Sequence, residues 1–150
     1  MSEAPPDAYA RALRLLAGRD HSAYELRLKL VQRGCTDEAI EAALSRLSAE
    51  RYLDEWRYAE AYVASRADKG VGPLRIAAEL AERRVPEAAA SHALREAKVD
   101  WAALAARVRA RRFGAPPDEL HERAKQQRFL QGRGFDYGQI RAAFAPPADD

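Results

Sequence analysis

The chain has 150 residues, about one ordinary domain in length, with 47% hydrophobic and 32% charged residues and a net charge of +2. Its single cysteine excludes an intrachain disulfide framework and a cysteine zinc cluster. No run approaches the roughly 18 apolar residues of a membrane span, and residues 1–6 lack the basic-then-apolar layout of a signal peptide, so a cytoplasmic protein without a membrane partner is expected. Much of the apolar share is alanine, which suits helices and buries little area per residue. An elongated helical protein is therefore expected rather than a β-sandwich.

The predicted elements are nine helices, at about 5–17, 22–33, 37–49, 55–68, 73–83, 86–97, 100–112, 118–131 and 136–144. In the first, Tyr9, Leu13 and Leu16 share a face. The second starts on Ser22 with Glu25 at capping-box spacing, carries Leu26 and Leu30 one turn apart, and stops at Gly34, where glycine accepts the left-handed conformation. The third opens on Thr36 and buries Ile40, Leu44 and Leu47. Asp54 and Glu55 suit the positive end of the fourth helix. Tyr52, Trp56, Tyr58 and Tyr62 are expected to pack and fasten the first three helices to the next, rather than to stack on bases. Gly70-Val71-Gly72-Pro73 lacks the lysine-serine/threonine ending of a phosphate loop and a preceding strand. It is predicted to be a turn, with Pro73 in the first turn of the fifth helix. Pro86 and Asp136 open the sixth and ninth helices, and Trp101, Leu104, Ala105 and Val108 supply the apolar face of the seventh.

Three stretches align without gaps at an offset of 50: ELRLKLVQRGCTDEAIEAAL (25–44), RIAAELAERRVPEAAASHAL (75–94) and KQQRFLQGRGFDYGQIRAAF (125–144). Leu30, Leu80 and Leu130 coincide, as do Arg33, Arg83 and Arg133. Gly34, Arg84 and Gly134 share the slot of the helix stop, and Cys35, Val85 and Phe135 the slot after it. Breaker, apolar residue and restart fall in phase, which makes three three-helix repeats, at about 5–50, 51–99 and 100–145. The shared slot makes Cys35 a small buried apolar group rather than a redox sensor. His21, His92 and His121 lie far apart without a metal-binding spacing and are expected at surface or boundary positions. No metal or cofactor site is expected.

The landmarks resemble the RecX family of recombinase regulators. The strongest stretch is RYLDEWRYAEAYVASRADKGVGPLRIAAELAERRV (51–85), with its aromatic-Leu-Asp-acid step, its Arg-aromatic-Ala step and its Gly-x-Gly-Pro turn. LLAGRDHSAYELRLKLVQRG (15–34) and FLQGRGFDYGQI (129–140) are also similar to family landmarks, and the likeness spans roughly residues 8–145. It implies an all-α fold of tandem three-helix repeats in an elongated, curved arrangement. It also implies binding to the RecA recombinase, above all to its DNA filament, and modulation, mostly inhibition, of ATPase, strand exchange and co-protease activity. Arg84 departs from the family pattern, which commonly has glycine there. Either the cost of a left-handed arginine is absorbed or this helix ends differently.

Charge is uneven. Residues 1–50 carry 7 basic and 8 acidic groups, residues 51–99 carry 9 and 8, and residues 100–145 carry 9 and 5. In the last segment Arg107, Arg109, Arg111 and Arg112 crowd one helix end, followed by Arg123, Lys125, Arg128 and Arg133. Arg107 and Arg111 share one face by their spacing of four, Arg109 and Arg112 another by three. Such a stripe is either a solvated face or a surface for acidic protein or phosphate. Two functions compete. One is a monomeric regulator of the RecA filament with these eight residues as its contact. The other is a helical-repeat protein that binds nucleic acid directly through its basic third repeat. No nucleophile–base pair, metal cluster or cofactor loop points to an enzyme.

Overall fold

The computed structural model describes residues 7–145. Among the described residues there are nine helices and no strand: α1 (Ala8–Gly18), α2 (Ala23–Gln32), α3 (Asp37–Ala49), α4 (Glu55–Asp68), α5 (Pro73–Glu82), α6 (Glu87–Glu96), α7 (Trp101–Phe113), α8 (Leu120–Gly132) and α9 (Tyr137–Ala143). The predicted helices all recur. Residues 5 and 6 of the first lie outside the described residues. The eighth starts on Leu120, two residues later than expected, after Glu119, whose side chain makes no capping bond.

Side chains set most of the starts. Ser22 and Glu25 form the predicted capping box on α2, and Asp136 with Gln139 forms another on α9. Thr36 and Asp100 accept the N–H groups of Ala39 and Ala103 at 3.2 and 3.0 Å. Asp54 Oδ1 accepts those of Trp56 and Arg57 at 3.0 and 3.1 Å. Each takes up donors that a helix start leaves unpaired.

The three stops share one geometry. Cys35 N–H donates to Leu30 O, Val85 N–H to Leu80 O and Phe135 N–H to Leu130 O, at 3.0, 3.1 and 3.2 Å. The preceding N–H of Gly34, Arg84 and Gly134 donates to Val31, Ala81 and Gln131, each at 3.0 Å. This paired closure needs a left-handed residue, and φ is +84° at Gly34, +55° at Arg84 and +100° at Gly134. Arg84 thus absorbs the cost of a non-glycine residue, and its guanidinium lies 5.0 Å from the centre of the Tyr24 ring. Leu30, Leu80 and Leu130, which anchor the closures, are fully buried, each worth about 1.5–3 kcal/mol of hydrophobic stabilisation.

The fold divides into two compact units: residues up to Ala61 with Leu80–Ala93, and Tyr62–Glu79 with residues from Leu94 onward. Helices α4 and α5 each contribute to both. In the first unit α1 packs on α3 around Ala12, Leu26, Leu30, Ile40, Leu44 and Leu47, with Cys35 half-buried against this core. The aromatic run behaves differently from its expected role. Leu53 and Tyr58 are buried, but Tyr52 and Trp56 remain 49% and 45% exposed. Because Asp54 starts α4, the helical period turns Tyr58 and Ala59 inward and Trp56 outward, where its ring meets His92 at 5.0 Å. Polar contacts tie the first repeat to the second within this unit. Glu55 Oε1 accepts the Ala23 N–H at 2.8 Å, so it caps α2, and Arg57 pairs with Asp20 at 3.0 Å.

His21 also departs from expectation. It is buried at 2% exposure, with Nδ1 3.0 Å from Arg19 O and Nε2 2.9 Å from Lys29 Nζ. A carbonyl only accepts and an ammonium only donates, so Nδ1 carries the proton. Burial first, with Arg19 and Lys29 adding, pushes its pKa below the ordinary value. His92 is half-buried and His121 exposed.

In the second unit α7 packs on α9, α8 lies against both, and the core holds Leu104, Ala105, Leu130, Phe135, Ile140 and Ala143. Glu79 joins α4 and α5 there. Arg66 grips it bidentately at 2.8 and 3.0 Å, Tyr62 OH donates at 2.8 Å and Arg75 at 3.3 Å. Burial alone would raise the Glu79 pKa, but these donors outweigh it and hold it below the usual range.

Candidate partner-binding surface

The eight basic residues singled out in the sequence separate in the second unit. Arg107, Arg111, Arg112 and Arg133 line a cleft of about 520 Å3, floored by Leu104, Val108 and Phe129 and joined by Lys69 from the α4–α5 turn. Asp68 is its acidic member. Arg107, Arg111 and Arg112 are exposed and have no ion pair among the described residues. Arg112 also lies 5.5 Å from the centre of the Phe129 ring, so its position is held by an aromatic face rather than by a carboxylate.

Arg109 corrects the expected stripe. It is 7% exposed, so it does not share an open face with Arg112. Its Nη1 donates to Gly114 O at 3.2 Å and to Gln126 Oε1 at 3.3 Å, while Nε has no partner among the described residues. Counting four steps from Trp101 reaches Ala105 and then Arg109, a line whose second member is fully buried. That spacing was the available signal, and the charge obscured it.

Arg133 lines the cleft, but its guanidinium is committed. Nη2 donates to Lys69 O at 2.6 Å and Nε to Gly70 O at 3.2 Å. Burial first, then Arg75 and Arg66, lower its pKa. The Gly70–Pro73 segment is the predicted turn, and it is bound to the α8–α9 turn: Gly72 N–H donates to Arg133 O at 2.8 Å and Leu74 N–H to Gly134 O at 2.9 Å. A Cβ on Gly72 would overlap the Gly134 backbone, and one on Gly134 would overlap Arg75. Arg133 therefore shapes the cleft wall.

Arg123 and Arg128 line a second cleft, of about 560 Å3, with Arg141, Leu74 and Tyr137. Leu74 and Tyr137 are 58% and 78% exposed. Arg123 also sits 5.0 Å from the centre of the Phe144 ring. Lys125 is exposed and lines neither cleft. The structure thus brings three exposed arginines together with Lys69 in one cleft, places two others in a second, and takes Arg109 and Arg133 into the architecture. Lys69 and Arg141 are cleft residues that the sequence reading missed. Lys69 belongs to the second repeat and meets the third only through folding.

Three sequence-family models match in order: "RecX, first three-helix domain" at residues 8–47, the second at 54–94 and the third at 99–144. The chain belongs to the RecX family. Among RecX relatives, the regulatory protein RecX of Halorhodospira halophila is 47% identical over 99% of this chain and 91% of its own. That of Pseudomonas entomophila is 45% identical over 86% and 84%. A crystal structure titled regulatory protein RecX superposes with a TM-score of 0.79 at 25% identity, covering 89% of this chain and 69% of that one. RecX from Lactobacillus salivarius gives 0.78 at 21% identity over 91% of each chain, a likeness of fold. The Halorhodospira and Pseudomonas relatives carry the name of regulatory proteins. Among the described residues no group of three potential ligands could hold a metal ion, and no helix is long and apolar enough to cross a membrane.

Proposed function

We propose that this chain regulates the RecA recombinase in the cytoplasm, by binding as a monomer to the RecA filament on DNA and restraining ATP hydrolysis, strand exchange and co-protease activity. Membership of the RecX family supports the regulatory role. The observation that carries the contact surface is the cleft where exposed Arg107, Arg111 and Arg112 stand beside Lys69 without a carboxylate partner among the described residues. Unpaired cations in a concave site favour association with an acidic or phosphate-rich groove and raise the rate of encounter. A ligand that prefers one filament state shifts that state's population by its differential affinity, so the regulator needs no catalytic group of its own. Single-stranded-DNA-dependent ATPase of the cognate RecA, measured with and without the chain, tests this. A fall in turnover is expected, and unchanged turnover together with no binding to the filament would overturn it.

A second reading, direct binding to nucleic acid, is favoured by Tyr137, whose exposed ring lies beside Arg128 and Arg141 in the second cleft. An open aromatic flanked by cations suits a single strand. Binding to naked DNA with a steep salt dependence would support this reading.

A further inference from the structure

The first unit carries a cationic groove that its near-neutral sequence conceals. Arg11 and Arg14 of α1 face Lys29 and Arg33 at the end of α2 across about 480 Å3, with Gln32 at the edge and no acidic residue in the lining. Four other arginines of this unit are neutralised: Arg19 by Glu25, Arg27 by Glu41, Arg46 by Glu50 and Arg57 by Asp20. The four groove cations have no carboxylate partner among the described residues. Lys29 is instead held by an uncharged acceptor, Nε2 of the buried His21, at 2.9 Å. The helix closure takes up the carbonyls of Leu30 and Val31 through the N–H groups of Cys35 and Gly34, so these two acceptors are already occupied.

We infer that Arg11, Arg14, Lys29 and Arg33 form a binding site for a compact polyphosphate, the triphosphate chain of a nucleoside or inorganic tripolyphosphate. Charge density selects this class. Guanidinium forks and an ammonium bind phosphate oxygens strongly. Four of them in one small groove match the three or four negative charges of a triphosphate, whereas an extended nucleic-acid strand spreads one charge per nucleotide. A pocket of this volume is also within the range of small-molecule sites. The site is independent of the filament-regulating role proposed above, and its test contains no recombinase.

Amide chemical shifts of the full chain, followed by NMR during titration with tripolyphosphate, with ATP and with a short single-stranded oligonucleotide, test the inference. Saturable shifts at residues 11–15 and 29–33 are expected with tripolyphosphate and ATP. Tighter binding of ATP would assign the chain to a nucleotide, and equal binding would assign the site to the phosphates alone. The Arg14→Gln/Arg33→Gln variant, changed at two exposed positions, should bind at least about tenfold more weakly. Arg27→Gln, which removes one positive charge outside the groove, should bind as the parent does. No saturable shift with tripolyphosphate or ATP, parental affinity in the double variant, or binding of the oligonucleotide alone would overturn the site.

Discussion

Arg133 Nη2 donates to the carbonyl oxygen of Lys69 at 2.6 Å, so a residue of the third repeat's helix stop fixes the turn that leads into the second repeat's middle helix. Its Nε holds Gly70 O as well. Arg133→Ala should therefore lower stability by about 1.5–3 kcal/mol, the range for hydrogen bonds from a charged donor. Arg107→Ala, at an exposed site in the same cleft, should change it by less than about 0.5 kcal/mol. Urea unfolding midpoints of the two variants separate a cleft wall from a cleft ligand.

The equivalent stops at Arg84 and Gly134 should tolerate exchange very differently. Arg84→Gly relieves a left-handed side chain, a gain of about 1 kcal/mol, and loses the contact with Tyr24, about 0.5–1 kcal/mol. Its thermal midpoint should stay near that of the parent. Gly134→Ala adds a Cβ where Arg75 already stands, at φ +100°. It should cost more than about 2 kcal/mol. Gly34→Ala, at φ +84° with nothing within 4 Å of the new Cβ, should lie between them, at about 1 kcal/mol.

The repeat explains what the sequence made legible. Leucine anchor, breaker and apolar residue recur at an offset of 50, and each is a backbone requirement, so the helix stops could be placed from residue types alone. Sidedness was harder. Spacing says which residues of α7 share a face but not which face turns inward, and arginines on every side of its second half removed the polar contrast that would decide it. Arg109 went inward behind Ala105 for that reason. The groove of the first unit was hidden by averaging. The acidic residues Asp37, Glu38 and Glu41 of α3 cancel the charge of α1 and α2 in a segment sum, although they do not line the groove. Lys69 reaches the cleft through a contact across more than sixty residues, which no local pattern encodes.

His21 gives the fold a pH dependence of definite sign. Its folded pKa lies below the ordinary 6.5, from burial first. The unfolded chain therefore takes up a proton that the folded chain refuses. Stability from neutral His21 is fully present above about pH 6.5 and falls as pH drops through the folded pKa. Glu25 and Glu79, held below the ordinary 4.5 by their donors despite burial, add losses only at more acid pH. Denaturation midpoints followed across this range should decline in two stages. The His21 ring nitrogens should report an Nδ1–H tautomer by NMR in the neutral form. An Nε2–H tautomer would contradict the bond with Lys29.

Cys35→Val should fold with stability within about 1.5 kcal/mol of the parent and keep filament binding. Valine fills the matching slot at Val85, and the bond that Cys35 makes to Leu30 belongs to the backbone. Unfolding midpoint and filament binding check the two halves of this expectation. A folded variant that no longer binds would give the thiol a role beyond packing.

The cleft of the second unit is tested most directly by the association rate of Arg107→Glu/Arg111→Glu/Arg112→Glu with RecA–single-stranded DNA filaments, by stopped flow at low and high salt. Arg109 is left unchanged because it is buried. The variant should unfold at the parental midpoint, associate at least about tenfold more slowly at low salt, and approach the parental rate as salt screens the charges. A folded variant that associates as fast as the parent at low salt would make these arginines a solvated face and contradict their role in engaging the filament.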